Sequence, residues 1–278
     1  MLILIEQTSH CNLQCRNCSN RLHQRGRGYM TPKRFKSIID QLLEKNAEGY
    51  KKMRIALHGV GEPFLSPYLW ENLDYLQEKG FTNVDFSTNG NLLDKEKIDR
   101  LMKYTCISWL RVSLNSSRRE LMELINTGSS FDLVVKNIKT LLDVVAFSNN
   151  PFQVVLQKMI TRKNEDETKE DYYDLFNGRT NFRYMEKRLH TYHHQTDDTE
   201  LSFPDGDMSK CIFGSMIFVQ WNGDLVGCCA DDTNTQVYGN VKDGIFSKEV
   251  QEKKYQYNEE LQERKFKNIP FCKKCLGL

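Results

Sequence analysis

No stretch of this sequence approaches the roughly 18 consecutive apolar residues needed to cross a bilayer. Met1 to Ile5 is apolar but only five residues long, with no basic segment ahead of it and no cleavage site behind it. It therefore reads as a first strand and not as an export signal. Charge of one sign is lacking too: 39 Lys and Arg against 37 Asp and Glu leave a net +2, with the signs interspersed. That balance excludes the basic field by which proteins hold nucleic acid. There is no internal repeat and no low-complexity tract. With 278 residues, 39% of them hydrophobic, the chain can bury the core of one large domain, with or without a small appendage.

Cysteine, by contrast, is plentiful: nine occur, at 11, 15, 18, 106, 211, 228, 229, 272 and 275. Without an export signal, so many thiols indicate a reducing, cytoplasmic setting and metal ligation instead of disulfides. Cys11-Asn12-Leu13-Gln14-Cys15-Arg16-Asn17-Cys18 is a C-x₃-C-x₂-C run placed directly after the opening apolar stretch. Three thiolates so spaced can hold three irons of a cubane cluster and leave the fourth iron without a protein ligand. An open metal position is where a small molecule binds and reacts, as in catalytic zinc sites. The alternative is a structural zinc held by His10, Cys11, Cys15 and Cys18.

The first two-thirds of the chain alternate strand and helix signals. Strands are expected over Leu2 to Gln7, Arg54 to Leu57, around Val84 and Phe86, around Leu110 to Leu114, over Phe152 to Ile160 and over Phe182 to Leu189. Between them lie apolar helical stripes. One follows the Thr31-Pro32 start and carries Phe35, Ile38, Ile39, Leu42 and Leu43. Another runs from Ser66-Pro67 through Leu69, Leu73 and Leu76 to a stop at Gly80. A third, capped by Asp94, carries Ile98, Leu101 and Met102. The stripe of Val134, Ile138, Leu141, Leu142 and Val145 and an acidic helix around Glu165 to Phe176 complete the set. Strict β–α alternation implies a parallel sheet with right-handed crossovers, and six units give a partial (β/α)₆ barrel of TIM type. Chemistry in such barrels sits at the C-terminal ends of the strands. The cysteine loop, His58-Gly59-Val60-Gly61-Glu62-Pro63 and Ser87-Thr88-Asn89-Gly90 all follow strands directly.

From about His190 the pattern changes. His193, His194 and a polar stretch through Asp207 read as a linker. A β-hairpin follows, from Ile217 and Val219 through Asn222-Gly223 to Leu225 and Cys228, and then a charged helix over Ser247 to Lys265. The expected domains are a barrel over 1–192 and an auxiliary domain over 193–278.

On these motifs, taken in order, the chain resembles the radical SAM superfamily. The resemblance implies that the open iron chelates S-adenosylmethionine, and that electron transfer cleaves the sulfonium to a 5′-deoxyadenosyl radical. A flavodoxin or ferredoxin-type protein would donate the electron. Val60-Gly61-Glu62-Pro63 corresponds to the family's Gly-Gly-Glu segment, with valine for the first glycine, so Gly61 and Glu62 are expected at the methionine amino group. Ser87, Asn89, Ser113 and Asn115 match positions that touch the methionine carboxylate and ribose, with Gln157 as a further candidate. Asn17 stands where the family usually has an aromatic residue packed near the adenine.

Cys211, Gly223, Cys228 and the closing Cys272-Lys273-Lys274-Cys275 form a second set. Four thiolates suit a complete [4Fe–4S] cluster or a tetrahedral zinc. With Tyr238-Gly239-Asn240-Val241, this segment resembles the shortened SPASM, or Twitch, domain, implying one auxiliary cluster and two [4Fe–4S] clusters in all. The overall layout resembles the radical SAM dehydrogenase of aminocyclitol antibiotic biosynthesis and radical SAM epimerases of similar size.

Cys229 stands apart. If Cys228 ligates, its neighbour on a strand faces the other way. A free thiol near the substrate can donate a hydrogen atom, as in radical epimerases; the plainer expectation is a small buried hydrophobe. Cys106 is expected in the core, and His58, His190, His193 and His194 receive no role. Asp197, Asp198, Asp231 and Asp232 would meet substrate amines or simply be solvated. The expected activity is hydrogen abstraction from an unactivated C–H bond followed by two-electron oxidation, in natural-product biosynthesis. Epimerisation through Cys229 is the alternative, and a zinc-binding interaction protein without catalysis is the alternative of another class. Because the sequence starts at the first barrel strand, with no peptide-recognition domain ahead of it, a sugar, aminocyclitol or other small metabolite is favoured over a peptide side chain. No membrane or nucleic acid partner is expected.

Overall fold

Six parallel strands run in chain order, each hydrogen-bonded to the next: β1 (Leu2–Ile5), β2 (Arg54–Ala56), β3 (Val84–Thr88), β4 (Ile107–Ser113), β5 (Gln153–Ile160) and β6 (Arg183–Arg188). The computed structural model describes residues 2–16, 18–21, 25–149, 152–188, 200–201, 211, 216–229, 231 and 234–275, the side chains of 274 and 275 excepted. Asn17, His190, His193, His194, Asp197, Asp198, Asp232 and most of the expected linker therefore lie outside the described residues. The helices are α1 (Pro32–Lys52), α2 (Leu69–Glu78), α3 (Lys95–Leu101), α4 (Arg119–Ile125), α5 (Phe131–Ala146), α6 (Lys169–Leu175), α7 (Lys248–Gln262) and α8 (Pro270–Cys275). Among the described residues, no helix is long and apolar enough to cross a membrane.

Strand alternation divides the sheet into two chemically different faces. Ile3, Ile55, Val84, Phe86, Leu110, Val112, Val154 and Leu156 point outward and pack on Phe35, Ile38, Leu42, Leu73, Leu141 and their neighbours in one large buried core. Each such side chain contributes about 1.5–3 kcal/mol on burial, so this outer layer carries the stability. The inner face is left free for polar groups. Among the described residues, Leu4, Ala56, Phe218 and Val226 form a small apolar cluster there, with Leu2 and Met216 packed against it. Asp85 on β3, almost fully buried, instead pairs with Arg54 on β2.

The C-terminal hairpin extends this sheet. β7 (Ile217–Val219) pairs parallel with the free edge of β1, matching Leu4 to Phe218, and β8 (Asp224–Val226) and β9 (Val237–Asn240) add antiparallel strands. Among the described residues the whole is one nine-stranded sheet. A parallel neighbour on β1 covers the edge that an incomplete barrel leaves open.

Several elements depart from expectation for local reasons. α2 starts at Leu69, not at Ser66-Pro67, because Pro63–Leu65 forms a 3₁₀ turn and Ser66 Oγ accepts the Tyr68 N–H at 3.3 Å. α6 is shorter than the acidic segment suggested, because Thr168 and Asp171 form a capping box that starts the helix there. α4 was not expected. In the hairpin turn only Gly223 takes a positive φ, +93°, so the Asn222-Gly223 pair supplies one left-handed residue and not two. By contrast Thr31, Asp94 and Ser247 cap α1, α3 and α7 as their sequences indicate.

Candidate functional site

The strand ends enclose a cavity of about 370 Å³ whose walls include Cys11, Cys15 and Cys18. Gly61, Glu62, Ser87, Asn89, Ser113 and Asn115 line the same cavity. Gln157, although paired with Ser113 across β4 and β5, is not among its described lining residues. His58, Met159, Lys187 and Cys229 complete the part of the wall that concerns the chemistry.

The cysteine loop is fixed from several sides. Its backbone donates from Gln14 to Thr127 O at 2.9 Å and from Arg16 to Ile125 O at 3.3 Å, which pins it to the end of α4. The Asn20 amide donates to Ser9 O at 2.8 Å and to Val60 O at 2.7 Å, tying it to the loop after β2. Burial pushes the Cys11 thiol up to about 11, with Glu62 and Cys18 adding to the rise. Cys15 is raised further, by burial first and then by the charges of Cys18 and Cys11. Thiols that resist ionising beside one another become favourable thiolates around a cation, whose charge inverts the penalty. Among the described residues, no three His, Cys, Asp or Glu converge on a point as a single ion requires. Cubane thiolates each hold a different iron, so this donor set fits a cluster. His10, the fourth ligand of the zinc alternative, has its ring stacked on Tyr29 with centroids 4.6 Å apart.

Gly61 cannot carry a side chain. A Cβ there would lie 2.2 Å from Thr8 O and 2.6 Å from His10 O, both backbone atoms of the segment entering the cysteine loop. Its neighbour Glu62 donates its N–H to His10 O at 2.8 Å and buries its carboxylate. That carboxylate accepts from Thr88 Oγ1 and from the Asn89 N–H, each at 2.8 Å. Burial raises its pKa to about 7 against the pull of these bonds. Glu62 is thus a brace between the ends of β2 and β3. Asn115 is similar: its Nδ2 donates to Asn126 Oδ1 at 2.7 Å and its Oδ1 accepts the Met159 N–H at 3.0 Å. Asn89 donates Nδ2 to Asn12 Oδ1 at 2.9 Å, inside the cysteine loop.

A second brace joins the hairpin to this loop system. Glu6, just past β1, is buried and forms a bidentate pair with Arg25 at 2.6 and 2.7 Å. The same carboxylate accepts the Val60 N–H at 3.2 Å and the Trp221 N–H at 3.1 Å. Trp221 lies against the backbone of 26–28 and donates its indole N–H to Gly26 O at 3.1 Å. A Cβ on Gly28 would come within 2.3 Å of that ring, so glycine is required there. Removing one partner of a buried ion pair strands the other. Glu6→Ala is therefore expected to cost about 3–5 kcal/mol in thermal or urea unfolding.

Cys229 is exposed on the cavity wall, which corrects the expectation of a buried hydrophobe. The two cysteines lie past the end of β8, in a turn and not on a strand: Cys228 is 7% exposed, while Cys229 is open to the cavity. A hydrogen bond from Cys228 lowers the Cys229 pKa, and the Lys187 charge adds to the lowering. Behind the wall, Cys211 and Cys272 pack with Tyr257, Leu261 and Ile269. The Tyr257 hydroxyl is raised by burial and then by the charges of Cys272, Cys228 and Cys211, which gather around it. Cys275 closes α8, one helical turn after Cys272, and its side chain lies outside the described residues. Cys106 is buried in the core as expected. Asp231 is buried, not solvated, and its carboxylate accepts the Gln236 N–H at 2.8 Å.

His58, to which the sequence assigns no role, and Lys187, which no motif marks, both line the cavity. Burial keeps His58 neutral, lowering its pKa to about 4 despite Asp85 at 4.0 Å. Position after a strand was the available signal for His58; for Lys187 there was none. A larger hollow of about 550 Å³, lined by Asp74, Glu96 and Arg100 among others, holds no cysteine and no strand-end residue. The first cysteine set and the strand-end residues belong to the smaller cavity.

Residues 5–163 match the Radical SAM superfamily, and residues 210–276 match SPASM, an iron-sulfur cluster-binding domain. The mycofactocin maturase MftC of Mycobacterium tuberculosis is 31% identical over 159 residues, which are 57% of this chain and 37% of that protein. The antilisterial bacteriocin subtilosin biosynthesis protein AlbA of Bacillus subtilis is 31% identical over 139 residues, 50% of this chain and 30% of that one. The chain thus spans well under half of the length of these curated relatives. The crystal structure of BtrN in complex with AdoMet and 2-DOIA superposes with a TM-score of 0.66 at 18% identity, covering 98% of this chain and 91% of that one. At that identity the likeness is one of fold.

Proposed function

The chain belongs to the radical SAM superfamily, and on that footing we propose that it is a two-cluster enzyme in which Cys229 returns a hydrogen atom to a substrate carbon, inverting it. Membership brings S-adenosylmethionine and [4Fe–4S] clusters, with an auxiliary cluster in SPASM-containing members. In this reading Cys11, Cys15 and Cys18 hold the first cluster, and Cys211, Cys228, Cys272 and Cys275 hold the second. The barrel is assigned to 1–192 and the auxiliary domain to 193–278. A reduced cluster held by Cys11, Cys15 and Cys18 would supply one electron to S-adenosylmethionine, the chemistry that gives a 5′-deoxyadenosyl radical.

The chain's own residues do the rest. Gly61 lets the loop after β2 press on the backbone that enters the cysteine loop, while Glu62 and Asn115 hold the strand ends in register around the cofactor. Ser87, Asn89 and Ser113 offer short polar groups to its methionine and ribose. Hydrogen abstraction breaks a substrate C–H bond and forms a C–H bond of 5′-deoxyadenosine, leaving a substrate radical. The Cys229 S–H bond then breaks and a new C–H bond forms on the opposite face, leaving a thiyl. One electron from a flavodoxin or ferredoxin-type donor and one proton restore the thiol.

The observation that carries this reading is the exposure of Cys229 in the same cavity as the cysteine trio. A packing cysteine has no reason to be there. Two-electron oxidation remains the second reading, since it needs no protein thiol and SPASM members carry an auxiliary electron acceptor. The relatives named as a maturase and as a bacteriocin biosynthesis protein support natural-product or peptide maturation as the setting. They support keeping a peptide side chain beside small metabolites as the substrate class. Product mass tests the assignment: inversion leaves the mass of the substrate unchanged, and a product two hydrogens lighter would replace it with oxidation.

A further inference from the structure

Two buried side chains converge on one sulfur of the second cysteine set. Gln236, at 4% exposure, donates Nε2–H to Cys272 Sγ at 3.1 Å, and Tyr257 places its hydroxyl 3.5 Å from the same atom. Neither position is accidental to the fold. The backbone of Gln236 is fixed by its N–H to Asp231 and by its carbonyl, which accepts the Gly227 N–H at 3.1 Å. The Tyr257 ring fills the space a side chain at Gly227 would need, since a Cβ there would meet its Cζ at 2.4 Å. The Gln236 amide directs its donor at the sulfur while its Oε1 is left buried without a partner. A neutral thiol is a weak acceptor and a poor reason for such an arrangement; a thiolate is a strong one.

We propose that Gln236 and Tyr257 are potential-setting donors, which raise the reduction potential of the auxiliary cluster through the Cys272 thiolate. This rests on the reading of Cys272 as a cluster ligand. Reduction adds negative charge that is shared with the ligand sulfurs, so a fixed donor stabilises the reduced form more than the oxidised one. The effect is to make the auxiliary centre easier to keep reduced.

The test uses the full chain with Cys11, Cys15 and Cys18 replaced by alanine, so that only the auxiliary cluster gives a signal. In a redox titration followed by electron paramagnetic resonance, Gln236→Leu and Tyr257→Phe are each expected to move the midpoint to more negative potential. At the unsubstituted midpoint, the reduced-to-oxidised ratio should fall about tenfold, equivalent to about 59 mV for a one-electron couple. An unchanged midpoint with iron retained would overturn the proposal. Should both substitutions lose the cluster, the parent chain reconstituted in D₂O decides by pulsed resonance. Exchangeable deuterons coupled to the reduced cluster are expected, and their absence would refute donation. Failure of the underlying reading looks different: Cys272→Ala would then retain its full iron.

Discussion

Alanine at Cys11, Cys15 and Cys18 together is expected to abolish formation of 5′-deoxyadenosine from S-adenosylmethionine by the dithionite-reduced protein. It should also halve the iron, from about eight to about four per chain, as loss of one of two cubanes requires. The fold should survive, because what holds this loop is not its sulfurs. The backbone bonds from Gln14 and Arg16 to the end of α4 remain, as do the Asn20 bonds to Ser9 and Val60. All three cysteines are only partly buried, so trimming each to alanine costs little packing. Circular dichroism should therefore be unchanged while activity disappears. Continued 5′-deoxyadenosine formation by a folded triple variant would remove the assignment of these residues.

Cys229→Ala carries the second large effect. The substitution leaves both cysteine sets untouched and removes an exposed sulfur from a cavity wall, so neither stability nor iron content should move appreciably. Production of 5′-deoxyadenosine should continue near the parent rate, because hydrogen abstraction precedes the donor's step. The inverted product should vanish, and the stranded substrate radical should decay to oxidised material. If the enzyme is a dehydrogenase, turnover of this variant would instead match the parent. Cys229→Ser offers no rescue, since an O–H bond is too strong to yield its hydrogen to a carbon radical.

The barrel was legible in the sequence because its signals are local. Thr31 and Asp94 each cap the helix that follows through a side-chain bond three residues long, and outward-facing strand residues alternate with inward ones. The cysteine loop was legible for the same reason, as a short spacing. What sequence could not supply are the long-range closures. The Glu6 carboxylate meets Trp221 across 215 positions, and β7 docks on β1 across a similar span. Nothing near residue 6 announces either. Polar side chains on the cavity wall also serve the fold, a role that position alone does not announce: the polar atoms of Glu62 and Asn115 are engaged by Thr88, Asn89, Asn126 and Met159. The exposure of Cys229 turned on where β8 ends: the strand stops at Val226, so both cysteines fall in the following turn, and strand alternation does not set their orientation.

The central claim is that the thiol of Cys229 and the radical centre share one reaction chamber. Turnover of the identified substrate in D₂O tests it most directly, because the cysteine S–H exchanges with solvent while the abstracted carbon-bound hydrogen does not. The expected product carries one deuterium, at the inverted carbon, and the hydrogen lost from that carbon appears in 5′-deoxyadenosine. A product two hydrogens lighter, with no solvent deuterium at carbon, would contradict the account.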